Sequence, residues 1–187
     1  MFFLQSGMSN DKTKIQKPFK LKNLQELMKE ERTLVLIKPD GLKKSLTGNI
    51  ITTLSETKLK IVAAKIVKVS RDLAEKHYFD LKQRLIEKFG KKKGEEVFEN
   101  SVNYIQGQFH TDRVLALIYK GENAVKKVRQ LAGETNPEKA DPISIRGKYG
   151  RINSETSVFE NVIHCSDSSE SAKREISLWF KPEEIVE

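Results

Sequence analysis

Three histidines carry most of this chain's capacity for chemistry near neutral pH: His77, His110 and His164. His77 falls inside a helical pattern beside Tyr78, and His110 falls in a polar stretch. His164 has a different setting. It closes a short apolar run and is followed by Ser166, Asp167, Ser168 and the start of a helical pattern. A strand end beside a helix N-terminus stabilises anions. Glu175 lies two turns into that helix, where its carboxylate can orient the ring. An imidazole held by a carboxylate on one nitrogen keeps the other free as a nucleophile. Attack on a phosphoryl group would give a phosphohistidine, and such chemistry needs cations on the arriving and departing phosphates. Lys38, Arg129 and Arg146, each next to a turn, can supply them.

Other devices for the same chemistry are missing from the sequence. It holds no GxxxxGK[ST] and no GxGxxG, and HExxH, GxSxG and EF-hand patterns are absent as well. Phosphate binding is left to Arg/Lys clamps and helix N-termini. The lone Cys165 excludes a disulfide framework and any CxxC zinc or redox site. No apolar run approaches the ~18 residues of a membrane span, and the expected compartment is a reducing cytoplasm. The chain has 187 residues, with 34 Lys+Arg against 26 Asp+Glu for a net charge of +8. That balance suits polyanionic partners such as nucleotides or nucleic acid.

The elements that must position these residues follow from pattern. Thr33–Ile37 (TLVLI) reads as a buried strand ending in the turn residues Pro39-Asp40-Gly41. Leu46–Thr57 has helical spacing, and Lys60–Ser70 is rich in β-branched residues and reads as a strand. A helix begins at Ser70 or Arg71. Lys82–Lys93 carries five Lys and one Arg against Glu87 and reads as an exposed inserted connection, broken at Gly90 and Gly94. Glu95–Tyr104 returns to helix, Arg113–Tyr119 is a strand, and Ala124–Leu131 is a helix closed by Gly133. Glu134–Ser157 is the longest irregular stretch, and long ordered loops tend to be functional. A strand at Val162–Cys165 leads to a helix over Ser169–Phe180, N-capped by Asp167 or Ser168 and stopped by Lys181-Pro182. Four strands with interleaved helices imply an α+β fold: a ferredoxin-like βαββαβ sandwich, its four-stranded antiparallel sheet covered by helices. Residues 1–30, with six Lys, read as a flexible basic N-terminal arm, and Met1–Gly7 is set aside from the fold as a candidate expression remnant. The domain proper is 31–187.

Six runs together resemble nucleoside diphosphate kinases. They are ERTLVLIKPDG (Glu31–Gly41), EKHYFDL (Glu75–Leu81), LAGETNP (Leu131–Pro137), SIRG (Ser144–Gly147), NVIHCSDSSESA (Asn161–Ala172) and EISLWFKPEEI (Glu175–Ile185). The resemblance covers the chain from Glu31 onward. It implies ping-pong transfer of the γ-phosphoryl group of a nucleoside triphosphate to a nucleoside diphosphate, with low base specificity. Mg²⁺ would be bound through the nucleotide phosphates, with no protein metal ligand, and the chain would form a homo-oligomer, a hexamer in many relatives. By the same resemblance His164 is the phosphorylated nucleophile, and Ser166 and Glu175 position its ring. Lys38 reaches the terminal phosphate and sugar hydroxyl, Tyr78 lies near the nucleophile, and Arg129, Thr135 and Arg146 hold phosphates. Asn161 holds the ribose hydroxyl.

The chain departs from the family pattern in places. Cys165 replaces the usual Gly, Lys148 the usual Asp, and Glu160 stands where Arg often precedes the Asn. Between Tyr78 and Tyr104 the chain is longer than the common form and lacks the family's Arg-Pro-Phe-Phe run. Arg84 is then the expected phosphate arginine, and Phe98 or Val97 the expected base-stacking residue. Two readings compete with catalysis. One is a nucleic-acid-binding module built on Lys82–Lys93 and the arm, although the aromatic–basic interleaving of a stacking platform is missing. The other is a catalytically silent scaffold, against which the intact His164 and its clamp argue.

Overall fold

The computed structural model describes residues 30–186; the expected N-terminal arm lies outside the described residues. The central sheet has four strands: β1 (Glu30–Ile37), β2 (Lys60–Val67), β3 (Val114–Glu122) and β6 (Ile163–Cys165). Their order across the sheet is β2-β3-β1-β6, and every neighbouring pair is antiparallel. This is the expected α+β, ferredoxin-like arrangement. A separate two-stranded ribbon pairs β4 (Arg151–Ile152) with β5 (Phe159–Glu160).

Helices cover both faces of the sheet. The run Thr33–Ile37 therefore carries no polar alternation, as a strand buried on both sides should not. Leu34 and Leu36 join Ala116 and Ile118 in one core, closed by α3 (Arg71–His77), α5 (Lys91–Ile105) and α8 (Ser169–Trp179). Val35 and Ile37 join Leu117 and Tyr119 in the other, closed by α2 (Thr47–Ser55) and α6 (Ala124–Ala132). Each strand residue thus serves one core or the other by its parity.

Three local expectations are corrected. Pro39-Asp40-Gly41 opens a short helix, α1 (Pro39–Lys43), with Pro at its first position, where the missing N–H costs nothing. The irregular stretch after Gly133 contains a 3₁₀ turn (Pro137–Lys139), the short helix α7 (Ile145–Tyr149) and strand β4. Lys82–Lys93, expected as an exposed inserted connection broken at its glycines, folds as a helical hairpin. It spans α4 (Leu81–Phe89) and the first turn of α5. Gly90, at φ +79°, makes the reversal between the two helices. Gly94 does not break α5. It lies where the helices touch, and a Cβ there would come within 2.6 Å of the Ile86 backbone. The remaining boundaries fall close to expectation. Gly133 closes α6 at φ +83°, and Ser168 rather than Asp167 caps α8, accepting from the Ser171 N–H at 3.0 Å.

Candidate active site

β6 pairs with β1 so that His164 lies opposite Leu36, which turns its ring toward α3 and α8. One helix turn and a half into α8, Glu175 meets it: Oε2 lies 3.0 Å from His164 Nε2. The Ser166 hydroxyl donates to the same Oε2 at 2.7 Å and accepts from the Leu34 N–H at 3.2 Å. The relay Leu34–Ser166–Glu175–His164 therefore runs from the sheet backbone to the imidazole. Burial pushes the Glu175 carboxyl up, but the bonds from His164 and Ser166 and the nearby Arg174 outweigh it and hold the group below its ordinary range. A carboxylate accepts only, so Nε2 carries the proton and Nδ1 is the free nitrogen.

The phosphate-type residues gather on the same cavity, of about 330 Å³, which His164 lines together with Lys38, Tyr78, Arg129, Thr135 and Arg146. Lys38 is the residue after β1, and its Nζ donates to Asn161 Oδ1 at 2.8 Å. Asn161 in turn donates to the Thr135 carbonyl at 2.7 Å, which links three chain segments in one line. Burial lowers the Lys38 pKa to about 8, with Asp40 opposing and Arg146 adding to the shift. Arg146, buried on α7, donates to the Gly133 carbonyl at 2.8 Å and to the Ile163 carbonyl at 3.1 Å, so its guanidinium is fixed beside the nucleophile's strand. Burial also lowers its pKa from the ordinary arginine value. The Tyr78 hydroxyl is held protonated, first by burial and then by Glu175 and Asp40.

Strain is concentrated one residue from the reacting strand. Val162 has φ +56°, rare for a β-branched residue. The Ile163 N–H donates to the Asn161 carbonyl at 2.6 Å across it, the pattern of a γ-turn. Three anchors hold this turn: the Val162 N–H donates to Asp40 Oδ2 at 3.1 Å, the Val162 carbonyl accepts from the Lys38 N–H at 2.9 Å, and Gly41 leaves room above that carbonyl. Asp40 was legible only as a turn residue, yet it fixes the bend that presents Asn161.

Two sequence expectations fare differently at the cavity's outer end. Arg84, on α4, lines the cavity and is paired with Asp80 at 3.1 Å. Phe98 is not at the cavity. It is buried in the core with Leu36, Val102 and Trp179, so it cannot stack on a base there. Val97, one residue earlier and about 100° round the helix, lines the cavity with Leu85 and Phe89 of α4 and Val158 across from them. The departures from the family pattern are also accommodated. Cys165 is buried, and burial raises its thiol pKa despite Arg146 and Arg129, so the thiol is a poor nucleophile. Glu160 is buried and accepts from Arg151 at 2.6 Å and from Asn153 at 2.9 Å.

His77 is the site residue to which sequence reasoning assigned no role. Its ring centroid is 4.4 Å from that of His164. Donor atoms of His77, His164 and Glu175 lie within 4.8 Å of one another, a metal-like grouping among the described residues. The Trp179 indole N–H, however, donates to His77 Nδ1 at 3.3 Å. Indole only donates, so His77 Nε2 keeps its proton and offers an ion no lone pair.

The sheet order and the cation-lined histidine cavity make this an α+β domain suited to anionic groups. Residues 31–185 match the family described as nucleoside diphosphate kinase, and the chain belongs to that family. With the family comes its activity, phosphoryl transfer between nucleoside tri- and diphosphates. The nucleoside diphosphate kinase of Pyrococcus furiosus is 45% identical over 157 residues, covering 84% of this chain and 87% of that protein. Nucleoside diphosphate kinase B of Canis lupus familiaris is 39% identical over 158 residues, covering 84% and 91%. Among solved structures, an NDP kinase from Pyrobaculum aerophilum superposes with a TM-score of 0.74 at 32% identity, covering 85% of this chain and all of that one. The Borrelia burgdorferi enzyme, solved as a transition-state mimic with vanadate and ADP, gives 0.72 at 31% identity, covering 84% and 91%.

Proposed function

We propose that His164 Nδ1 is the nucleophile that takes the γ-phosphoryl group from a nucleoside triphosphate and passes it to a diphosphate. The observation that carries this reading is the relay from Ser166 through Glu175 to His164 Nε2, which leaves Nδ1 free on a cation-lined cavity. As the phosphoryl group moves onto the ring, Nε2–H stays on the Glu175 carboxylate, which stabilises positive charge growing on the imidazole. Lys38, Arg129, Thr135 and Arg146 hold the phosphates in line. Asn161 orients Lys38 and meets the sugar, Arg84 closes over the outer phosphate, and Tyr78 buttresses the site. The second half-reaction reverses the first, which is ping-pong kinetics through a covalent intermediate.

A lining of lysine and arginine suits phosphate oxygens and not a bare divalent cation. Mg²⁺ therefore belongs to the incoming nucleotide, where it neutralises phosphate charge. The outer wall of Leu85, Phe89, Val97 and Val158 is apolar and carries little directional hydrogen bonding, so bases should be discriminated weakly. A homo-oligomer, with a hexamer favoured, fits two surface features: Ile61 and Ile66 are exposed on the edge strand β2, and Ile143 is 75% exposed in the loop before α7. Sedimentation velocity would read the assembly directly. No helix among the described residues is long and apolar enough to cross a membrane; a cytoplasmic location is part of the same reading.

The deciding experiment is intact-mass spectrometry after incubation with Mg-ATP, then with GDP. One acid-labile phosphate should appear and then leave, and His164→Ala should take up none. Phosphoryl exchange by folded His164→Ala protein would overturn the assignment.

A further inference from the structure

His77 ends α3 with its ring 3% exposed, among groups that do the chemistry but without a part in it so far. Its ring meets that of His164 at 77°, edge against face, with centroids 4.4 Å apart. On its other side the Trp179 ring packs at 87° and 5.6 Å, with the indole N–H on Nδ1. Tyr78, the next residue, packs at 4.8 Å. The ring is therefore held from three directions, and its Nε2 has no hydrogen-bond partner among the described residues.

The tautomer follows from these contacts. An indole donor on Nδ1 requires a lone pair there, so the neutral ring must carry its proton on Nε2. Protonating Nδ1 would set two donors against each other in a buried place, at the cost of a broken hydrogen bond as well as a desolvated charge. Burial first, then the charges of His164, Lys38 and Arg174, keep the group well below its ordinary pKa. Glu175, the carboxylate grouped with His77 and His164, is already engaged by His164, Ser166 and Arg174.

A single hydrogen bond from Nε2 to Glu175 fixes a point on the His164 ring but not its rotation about that point. The second contact is the edge-to-face packing against a neutral ring that does not take up a competing charge. We propose that His77 is a positioning residue for His164, a neutral imidazole locked by Trp179 that fixes the nucleophile's ring so that Nδ1 faces the phosphate clamp. This rests on the reading of His164 as nucleophile. A misplacement of about 1 Å at a reacting atom can cost on the order of a hundredfold in rate.

Long-range ¹H–¹⁵N correlation spectra of the imidazoles test the proposal in the full chain without turnover. Between pH 5.5 and 8.5, wild-type His77 should stay neutral with its proton on Nε2, and the neutral form of unphosphorylated His164 should be one tautomer, with its proton on Nε2 too. In His77→Ala, His164 should become a mixture of tautomers. In single-turnover phosphorylation by Mg-ATP, His77→Ala should lose about tenfold or more at saturating nucleotide while KM moves less than about threefold. His77→Phe, which keeps an aromatic ring in that place, should recover most of that loss. Trp179→Phe, which keeps the bulk and removes the donor, covers the case in which His77→Ala fails to fold: His77 should then titrate or mix tautomers. The proposal is overturned if wild-type His77 titrates in this range, or if Trp179→Phe leaves its spectrum unchanged. It is also overturned if folded His77→Ala keeps the wild-type rate and the single His164 tautomer. A wild-type chain that shows the tautomer coupling but takes up no phosphate would sink only the assignment of His164 as nucleophile.

Discussion

Lys38 and Glu175 are both buried and both have lowered pKa values, which favours the neutral form of the lysine and the charged form of the carboxylate. Burial brings Lys38 down to about 8, so it is a cation at neutral pH and loses its charge as pH rises through that value. Calorimetric affinity for ADP should therefore fall between pH 7 and 9.5, and Lys38→Met should bind more weakly with that step removed. An unfolded lysine keeps its proton to about pH 10.4. The unfolded chain thus binds more protons between the two values, and the unliganded protein's stability from this residue rises with pH there. For Glu175 the direction is the same, because its lowered pKa again leaves the unfolded chain binding more protons, but the window is acidic. Its folded carboxyl lies below the ordinary value, so its contribution is present above about pH 4.3 and is lost as pH falls through the lower, folded value. Glu175→Gln should show a shallower acid-denaturation slope in that window. It should also lose at least about tenfold in kcat, because an amide no longer fixes the His164 tautomer or stabilises its positive charge. Glu175 and Lys38 were legible because each lies at a readable distance from a strand end, and Ser166 was legible through the family resemblance. His77 and Asp40 were not, since each acts through a partner more than 80 residues away in the chain, Trp179 and Val162 respectively.

Among the elements, the strands announced themselves and the surface helices did not. Thr33–Ile37, Lys60–Val67 and Val114–Tyr119 are apolar or β-branched runs that only a covered sheet accommodates. The α4–α5 hairpin is dense in lysine and holds two glycines, and the glycines count against helix when propensity is read alone. Packing decides otherwise: Gly94 lets two backbones approach where any side chain would collide, and Leu81, Leu85 and Phe98 face the core. The same ambiguity misplaced the aromatic. Val97 and Phe98 are adjacent on a helix, and which of them meets the cavity depends on the rotation that α4 imposes. Gly94→Ala should separate the helices and cost about 1–3 kcal/mol of unfolding free energy, as overpacking does. Because Leu85, Phe89 and Val97 belong to the displaced wall, the accompanying kinetic change should fall on KM for nucleotide more than on kcat.

For the molecule as a whole, the cavity lies where the sheet's short strand, the γ-turn and the helical hairpin converge, and no single layer builds it. Ligand that binds only this assembled form stabilises all of it. ADP at a hundred times its dissociation constant should add about 2.7 kcal/mol, a rise in melting temperature of roughly 5–10 °C for a domain this size, read by scanning calorimetry. One further property comes from composition together with placement. The chain has one tryptophan, and it is Trp179, whose indole hydrogen-bonds the ring that touches the nucleophile. Ultraviolet emission excited at the red edge of the absorption band therefore comes from a single fluorophore two rings away from the reacting nitrogen. Addition of ATP and then of GDP should move that emission and return it, giving each half-reaction an intrinsic optical clock without a label.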